Sequence, residues 1–443
     1  MSKEDSLQAK SQTTCCIVGG GPAGMMLGYM LARAGVDIIV LEKHKDFFRD
    51  FRGDTVHPST LELMHELGLL NDFLRLPHQR LKATGGTFGG FAFRAADFSR
   101  VPTRCKFVAL MPQWDFLDFL HRHARAFESF DLRMEHEVVD LLRQNGRVTG
   151  VEVQTPSGSQ QIRADLVIGC DGRHSTVRKA AGLTVQEFGV PIDVLWFRIT
   201  GASGVPERLL GNFNYGQALI LIPRGDYFQA GLLIRKNSFD QLKSTGMDAF
   251  RDTIRRLAPQ LGDGVNELKD WEQIKLLSVQ INRLQRWYRP GLLCIGDAAH
   301  AMSPVGGVGI NLAIQDAVGA ANLLAQPLRE NAVTESLLAR LQKRREFPAR
   351  VTQFLQMNAH RVLDRVFASH GPMEAPWQLK VMVGIPGLQH AVGRTLGVGV
   401  RPEHASGARR LSGLRKFCFA GMMLSAGILI GAMGANRLRS RRE

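Results

Sequence analysis

Residues 13–24, which read TTCCIVGGGPAG, decide the fold. Residues 13–18 are apolar and rich in strand-forming side chains, and the glycines at 19, 21 and 24 have the spacing G-x-G-x-x-G. An apolar, helix-forming run extends from there to about residue 34, Gly35 ends it, and residues 36–41 (VDIIVL) form a second apolar run. The pattern predicts a strand, a helix and a second buried strand.

Each glycine of this motif has its own physical role. Gly19 lets the chain turn sharply out of the strand, Gly21 lets a pyrophosphate approach the backbone, and Gly24 lets the helix pack closely against the strand. Pro22 and Ala23 open the helix, whose free N–H groups and partial positive charge attract phosphate. These five residues therefore predict a dinucleotide site.

Two charged residues follow the second predicted strand. Glu42 can accept two hydrogen bonds from a ribose diol, and Lys43 beside it is a further candidate cofactor contact. The motif does not distinguish NAD from FAD. The sequence holds no second G-x-G-x-x-G between a strand and a helix, so only one dinucleotide has a dedicated site of this kind.

Two later segments indicate which dinucleotide it is. Residues 165–178 read DLVIGCDGRHSTVR, and residues 294–311 read CIGDAAHAMSPVGGVGIN. Together with the first motif, and in this order, they resemble the class A flavoprotein monooxygenases, the FAD-dependent family of p-hydroxybenzoate hydroxylase. The resemblance covers roughly residues 13–365. It implies bound FAD and NAD(P)H as a transient co-substrate.

The resemblance also implies roles for residues in the first half of the chain. Glu42 would hold the adenosine ribose, and Arg52 would lie along the phosphate and ribityl region of the flavin. Gln113, at the start of a predicted helix, corresponds to a family glutamine that contacts FAD. Val138 corresponds to a position whose backbone meets the adenine.

Further roles fall on the two later segments. Asp171 and Gly172 match a D-G pair associated with FAD and NAD(P)H, and Asp297 would bind the ribityl chain. The remaining matches form one turn, which we call the flavin loop (residues 304–311); its candidate cofactor contacts are Pro304, Gly307, Gly309, Ile310 and Asn311.

The residues themselves support this role for the flavin loop. The loop is rich in glycine and opens a predicted helix over residues 310–325. The positive end of that helix would face the pyrimidine edge of the flavin, which gains negative charge on reduction. A helix N-terminus stabilises such a charge by roughly 0.3–1 kcal/mol, and by more when buried.

The chemistry implied by the resemblance is hydroxylation. NAD(P)H reduces the flavin, O₂ adds at C4a, and the resulting hydroperoxide delivers one oxygen atom to an electron-rich substrate. Because the cofactor carries this chemistry, no residue is nominated as catalytic. Asp54 and His57 follow Arg52 and either reach the pocket or form loop hydrogen bonds, while His300 is predicted to pack structurally.

Proteins with other functions share this fold. A flavin-dependent halogenase is disfavoured because no two tryptophans lie two positions apart, as its Trp-x-Trp-x-Ile-Pro motif requires. An isoprenoid double-bond reductase of the geranylgeranyl reductase kind stays open, as does a non-catalytic flavin-binding protein. Apolar runs at residues 219–222 and 232–234 favour an aromatic, polyketide-like or isoprenoid substrate over a small carboxylate.

The alternation of segment types predicts an α/β fold of two interleaved domains. A Rossmann-like FAD-binding domain would comprise residues 13–77, 111–180 and 287–366. A β-sheet substrate domain would comprise residues 78–110 and 181–286. Residues 1–12 are predicted to be a disordered leader, and residues 367–408 a C-terminal helical region.

Composition limits the remaining possibilities. Hydrophobic residues make up 44% of the 443 and charged residues 22%, so wholesale disorder is excluded. The six cysteines are too few for a disulfide scaffold and lack metal-ligand spacing, and Cys15 and Cys16 are predicted to be buried small hydrophobes. No metal is predicted, and the polar N-terminus lacks a secretory signal, which indicates a cytoplasmic protein.

The net charge of +15 is concentrated at one end. Residues 405–443 carry a net charge of +7, with basic side chains on both sides of an uncharged apolar stretch at 417–436. As a helix this stretch would span about 30 Å, the thickness of a bilayer core. Residues 409–443 are therefore a candidate membrane anchor, with a helix buried against the protein as the alternative. No motif supports nucleic-acid binding, and the oligomeric state is not predicted.

Overall fold

The computed structural model describes residues 11–48, 55–200, 209–369 and 371–405. The predicted leader falls largely outside these ranges, although Gln12 already belongs to the first strand. Arg52, Asp54 and the basic apolar tail also lie outside the described residues.

The described strands, in chain order, are β1 (Gln12–Val18), β2 (Ile38–Leu41), β3 (Thr55–Val56), β4 (Gln79–Leu81), β5 (Ala83–Phe88), β6 (Phe91–Asp97), β7 (Val108–Leu110), β8 (Phe130–Arg133), β9 (Glu137–Gln144), β10 (Arg147–Thr155), β11 (Gly158–Gly169), β12 (Val185–Phe188), β13 (Ile192–Thr200), β14 (Leu209–Asn214), β15 (Gln217–Pro223), β16 (Tyr227–Arg235), β17 (Lys275–Leu277), β18 (Ile281–Leu284), β19 (Tyr288–Arg289) and β20 (Leu292–Cys294). The described α-helices are α1 (Pro22–Arg33), α2 (Pro58–Glu66), α3 (Leu70–Phe73), α4 (Gln113–Ala124), α5 (Thr176–Ala180), α6 (Phe239–Ser244), α7 (Met247–Leu257), α8 (Gly309–Arg329), α9 (Glu335–Phe367), α10 (Trp377–Gly384) and α11 (Leu388–Val398).

A sheet of eight strands carries the three sequence motifs. Its order is β19-β20-β11-β1-β2-β8, and the hairpin of β9 and β10 extends from β11. Val18 pairs with both Leu41 and Gly169, and Gly169 pairs with Cys294, all in parallel register. Four strands therefore end at the same level, and the segments that follow them meet at one carboxyl edge, where open α/β sheets bind ligands.

A tight hairpin joins β9 to β10, and the predicted buried strand β1 forms. Asn145 and Gly146 join β9 to β10 with φ values of 51° and 76°, and two consecutive positive φ values suit the twist of a tight hairpin. Cys15 and Cys16 on β1 are fully buried, as predicted. Burial raises the pKa of the Cys16 thiol to about 12, so it stays protonated.

Seven strands from two separate stretches of the chain form another sheet, which we call the second sheet. Its order is β17-β13-β16-β15-β14-β5-β6. One of its faces packs on α7 and forms a hydrophobic core that includes Leu219, Leu221, Leu232 and Ile234. These four residues of the two apolar runs therefore belong to the core on the α7 side of the sheet. Alternate residues of a strand point to opposite faces, so only Ile220, Ile222 and Leu233 take the other side.

Helix α8 begins at the flavin loop and ends four residues later than predicted, at Arg329. The stretch Val305–Arg329 is long and apolar enough to cross a membrane, but 72% of its most apolar 18-residue segment is buried within the protein. Packing of α8 against α1 and α9 accounts for this apolar character. The α/β class predicted from sequence is confirmed, whereas the division into two domains with the stated boundaries stays a prediction.

Candidate functional site

The glycine turn after β1 has the shape that the motif predicts. A Cβ atom on Gly19, whose φ is +105°, would lie 2.5 Å from the carbonyl oxygen of Cys170. A Cβ atom on Gly24 would lie 1.9 Å from the carbonyl oxygen of Gly19. In contrast, a Cβ atom on Gly21 would meet no atom within 4 Å. Packing therefore requires the first and third glycines, while the second faces open space at the N-terminus of α1.

Glu42 holds its carboxylate against this turn. It accepts hydrogen bonds from the backbone N–H groups of Gly20 and His44, both at 3.0 Å, and its side chain is 12% exposed. Lys43 lies beside it and is exposed, with its Nζ 3.9 Å from the carboxylate of Glu137. The carboxylate of Glu42 is thus fixed at the end of β2, beside the open face of the glycine turn.

Asp171 lies at the end of β11, next to Gly19. Its Oδ2 accepts a hydrogen bond from Val177 N at 3.0 Å, and its Oδ1 is buried without a partner among the described residues. Burial raises the pKa of this carboxyl, although hydrogen bonds from Ser175 and from backbone N–H groups partly offset the effect. Gly172 follows with a φ of +82°. An orphaned oxygen at this edge indicates a missing polar partner.

The third motif reaches the same edge through the 3₁₀ turn Gly296–Ala298. A Cβ atom on Gly296 would lie 3.3 Å from Cβ of Ala23 and 3.2 Å from Cβ of Ala313, so this turn is wedged between α1 and α8. Asp297 follows and pairs with Arg173 of the second motif at 3.7 Å, and both side chains are partly exposed. All three motifs therefore meet at one place.

The flavin loop is held on one side by residues 55–60. Thr55 Oγ1 donates to the carbonyl oxygen of Gly307 at 3.0 Å. Ser59 and Thr60 both donate to Oδ1 of the buried Asn311, at 2.7 and 2.8 Å. Oδ1 of Asn311 is thus bound by the first turn of α2. Pro304 precedes the 3₁₀ turn of the loop, and Gly309 and Ile310 are the first residues of α8.

Helix α9 holds the segment just before the loop. Gln356 accepts from Ser303 N at 3.0 Å and donates to the carbonyl oxygens of Ser303 and Val305, at 2.8 and 3.0 Å. His360 Nε2 lies 2.8 Å from Ser303 Oγ. These contacts and those of residues 55–60 fix the loop from two directions.

Asp316 on α8 is the centre of a buried charge network beneath the site. Its carboxylate accepts from Gly296 N at 3.1 Å and from Arg345 Nε at 2.8 Å, and it lies 2.5 Å from His300 Nε2. Burial alone would raise the pKa of Asp316, but His300 and Arg345 hold it below its usual value. His300 is thus a structural residue, as predicted, and its ring also packs against Trp287.

The remaining predicted site residues are less directly connected. Gln113 is the half-buried first residue of α4, which packs against α1. Val138 on β9 is buried in the main core, close in sequence to His136, whose backbone N–H donates to the carbonyl oxygen of Glu42 at 2.9 Å. Arg52 lies outside the described residues. In the described part of the chain, no cluster of three or more His, Cys, Asp or Glu side chains could hold a metal ion.

Several residues of this arrangement were not predicted from the sequence. Thr55, Ser59 and Thr60 hold the loop from a segment about 250 positions away, and Gln356 does so from α9. Arg345, also on α9, binds Asp316 beneath the site. No local pattern marks them. A weak signal is the pair of hydroxyl residues at the start of α2, which suits a helix N-terminus but does not identify Asn311 as the partner.

The residues fit a bound FAD. The glycine turn is open at Gly21, the carboxylate of Glu42 lies beside it, Asp171 has an orphaned oxygen, and α8 begins at the flavin loop. The sequence model of the family described as "FAD binding domain" matches residues 12–355. The chain belongs to this family. It is therefore a flavoprotein.

Two related proteins indicate which class of reaction the flavoprotein catalyses. It is 33% identical over 377 residues to 6-methylpretetramide 4-monooxygenase of Streptomyces rimosus, a match that covers 82% of this chain and 88% of the relative. It is 31% identical over 305 residues to rifampicin monooxygenase of Streptomyces venezuelae, covering 68% of this chain and 61% of the relative. The flavoprotein is an FAD-dependent monooxygenase, and this part of the sequence prediction is confirmed.

A solved structure supports the fold independently. PqsL of Pseudomonas aeruginosa, determined in complex with 2-aminobenzoylacetate, superposes with a TM-score of 0.71 at 21% identity, covering 81% of this chain and 98% of PqsL. At that identity the likeness concerns the fold alone. NAD(P)H is the co-substrate typical of the family.

Proposed function

We propose that the flavoprotein hydroxylates a flat, largely apolar aromatic substrate of polyketide-like type. The observation that carries this proposal is a row of directly paired residues across the second sheet: Gly211 pairs with Ile220, Ile220 with Gly231, and Gly231 with Trp196. Directly paired residues share a face. This row lies on the face opposite α7.

Glycines in this row let aromatic rings lie against the sheet. A Cβ atom on Gly231 would come within 2.8 Å of the Trp196 ring, and a Cβ atom on Gly211 within 2.9 Å of the Phe213 ring. Ile220, between the two glycines, is partly exposed, as is Phe213. Two rings lying over glycines form a broad, flat apolar floor, which suits a planar substrate better than a single small carboxylate.

The floor and the flavin loop belong to one hydrophobic cluster. Val305 of that loop packs against the same hydrophobic cluster as Trp196, Phe213 and Ile220. A substrate on the floor would therefore lie beside the flavin edge, where orientation and exclusion of water favour oxygen transfer over unproductive reaction. The names of the two relatives, which give 6-methylpretetramide and rifampicin as their substrates, support the polyketide-like class.

Trp196 would also contribute polar recognition. Its side chain is 9% exposed, and Nε1 has no hydrogen-bond partner among the described residues. The ring atoms nearest Gly231 are Cζ3, Cη2 and Cε3, so Nε1 lies on the indole edge that points away from that glycine. A buried N–H donor without a partner favours a ligand with an acceptor oxygen, such as a phenol or a quinone carbonyl.

In the proposed reaction the residues of the chain bind, orient and shield. FAD, when bound, accepts electrons from NAD(P)H and activates O₂ for transfer of one oxygen atom to the substrate. The glycine turn, Glu42 and Asp171 would hold its nucleotide half, and Asp297 would hold the ribityl chain. The N-terminus of α8 would stabilise negative charge at the pyrimidine edge.

The substrate class can be tested by measuring NAD(P)H oxidation with the purified flavoprotein and three sets of compounds. These are polycyclic phenols, isoprenoid quinols and single-ring benzoates. We expect polycyclic phenols to stimulate oxidation and to give hydroxylated product. Stimulation only by small charged benzoates would overturn the proposal, and reduction of an isoprenoid double bond without O₂ would revive the reductase alternative.

We further propose that the enzyme works at the cytoplasmic face of a membrane through residues 417–436. The uncharged stretch and its basic flanks support this, because arginines beside an apolar helix can reach anionic head groups. Fractionation of cells that express the full chain or a chain ending at residue 409 is the test. An unchanged distribution of the two proteins between membrane and soluble fractions would contradict the proposal.

A further inference from the structure

Residues 388–405, which we call the C-terminal strap, lie beyond the part of the chain that the family model matches, which ends at residue 355. The strap comprises α11 and the segment that follows it. We propose that the strap forms part of the flavin site and that His57 is the positioning residue that ties it to the flavin loop. This inference rests on the proposed role of the flavin loop, but not on the identity of the substrate.

Helix α11 is seated closely on its neighbours. A Cβ atom on Gly393 would lie 2.0 Å from the carbonyl oxygen of Asp97 on β6, and one on Gly397 would lie 3.1 Å from both Phe98 and Pro58. These two glycines bring the helix axis close to the backbone beneath it. The strap therefore cannot shift along this surface without breaking close packing.

The strap also contacts the flavin loop itself. A Cβ atom on Gly306 would lie 3.2 Å from Cδ2 of Leu396, so the Leu396 side chain covers that glycine. Gly306 and Gly307 both have positive φ values, 83° and 64°. Two adjacent glycines give the loop wide conformational freedom, and external contacts must restrict it if the loop is to hold a cofactor edge.

His57 joins the two elements. Its side chain is 2% exposed, and its Nδ1 lies 2.8 Å from the carbonyl oxygen of Leu396. A carbonyl oxygen only accepts, so Nδ1 carries the hydrogen. Thr55, two residues earlier, donates to Gly307 O at 3.0 Å. One short segment, residues 55–57, thus binds the strap and the flavin loop together.

The far end of the strap is fixed by ion pairs to a buried carboxylate. Glu403, which is 4% exposed, pairs with Arg344 Nε at 2.6 Å and with Arg345 Nη1 at 3.5 Å. Arg345 is the same side chain that donates to Asp316 below the site. Glu66 accepts from Ala405 N at 2.8 Å. With both ends held, a change at His57 acts on the middle of a fastened segment and does not release it.

The test is FAD binding by the deflavinated full-length chain. His57→Leu removes the donor that the Leu396 carbonyl accepts from, which should weaken FAD affinity about tenfold and alter the visible spectrum of the bound flavin. His57→Asn places an amide N–H near the Nδ1 position and should restore both to within about twofold of wild type. His78→Leu is the matched control, because Nδ1 of His78 also bonds a backbone carbonyl, that of Leu76, at 2.7 Å, but only locally.

A second variant covers the case in which His57→Leu fails to fold. Leu396→Ala keeps every backbone hydrogen bond of the strap and removes only the cover over Gly306, so we expect the same spectral change with a roughly fivefold weaker FAD affinity. Wild-type affinity and spectrum in both His57→Leu and Leu396→Ala would overturn the inference. Because FAD binding is measured without substrate, failure of the polycyclic substrate proposal would leave this result unaffected.

Discussion

The carbonyl oxygen of Gly19 occupies the place that a side chain on Gly24 would need, because a Cβ atom there would lie 1.9 Å away. The first turn of α1 can therefore rest on the end of β1 only if residue 24 is glycine. That contact directs the N-terminus of α1 toward the carboxyl edge, where a pyrophosphate would bind. The neighbouring Gly21, open on its outer side, has no such structural reason to be glycine.

This contrast predicts different outcomes for two alanine variants. Gly24→Ala should lower the thermal stability of the apoprotein and abolish FAD binding. Gly21→Ala should leave apoprotein stability unchanged or slightly higher, since the φ of −75° at this position suits alanine. The variant should nevertheless bind FAD roughly tenfold more weakly or worse, because the added methyl group would clash with the pyrophosphate. Thermal melts and FAD titrations measure both effects. Equal FAD affinity in Gly21→Ala and wild type would contradict the placement of the pyrophosphate.

Asp316 should be important for stability because its removal leaves a buried guanidinium poorly compensated. Asp316→Asn deprives Arg345, which is 1% exposed, of its nearest carboxylate and should cost about 3–5 kcal/mol in the free energy of unfolding. The control is Asp240→Asn, whose pair with Lys243 at 2.8 Å is exposed and should contribute less than about 1 kcal/mol. Chemical denaturation of the two variants compares them; a similar small loss in both would be inconsistent with the buried network.

Trp196 should affect substrate binding more than the chemical step. Trp196→Phe keeps an aromatic ring but removes the unpartnered N–H, so we expect KM for a phenolic substrate to rise about tenfold with a smaller change in kcat. Trp271→Phe is the control, because Trp271 packs beside Phe250 on the opposite side of the second sheet. Steady-state kinetics separates the two constants, and an unchanged KM in Trp196→Phe would exclude the indole as a recognition group.

The contribution of His57 to the stability of the flavoprotein should fall as the pH is lowered below the ordinary pKa of histidine. Burial is the main influence on His57 and lowers its pKa from the ordinary 6.5, although the backbones of Leu396 and Gly307 partly offset it. The unfolded chain therefore takes up a proton at higher pH than the folded chain does. The contribution is present above pH 6.5 and is lost as the pH falls below that value toward the folded pKa.

The free energies of unfolding of wild type and His57→Asn, measured between roughly pH 7.5 and pH 5, would show this effect. The interval begins about one unit above the ordinary pKa of histidine and ends below it. We expect the wild type to lose more stability than the variant over this interval. His360, whose pKa burial also lowers, remains in both proteins and supplies a common background. Parallel curves for the two proteins would mean that His57 does not titrate differently on folding.

Local sequence patterns predicted the part of the site that local chemistry determines. The glycines at 19, 21 and 24, Glu42 after β2 and the turn after β11 all follow from strand–turn–helix rules, and parallel register brings them to one edge. The prediction of FAD and monooxygenase activity came from the order of three motifs and is confirmed. The individual cofactor contacts and the domain boundaries stay predictions.

Long-range contacts were beyond what the sequence could predict. Nothing near His57 identifies Leu396 as its partner 339 positions later, and nothing near Asn311 identifies Ser59. The apolar runs of β15 and β16 looked alike on both faces, because both faces of the second sheet are apolar. Only the position of α7 showed which residues belong to the core and which face the flavin loop.

Reaction of the FAD-loaded enzyme with NAD(P)H, a polycyclic phenol and ¹⁸O₂, followed by mass spectrometry of the product, is the most informative single experiment. A monooxygenase that works as proposed incorporates one ¹⁸O atom per product molecule, and the label is absent when the isotope is supplied as water. A product that contains no oxygen from O₂, or that forms equally well without O₂, would contradict the assigned activity.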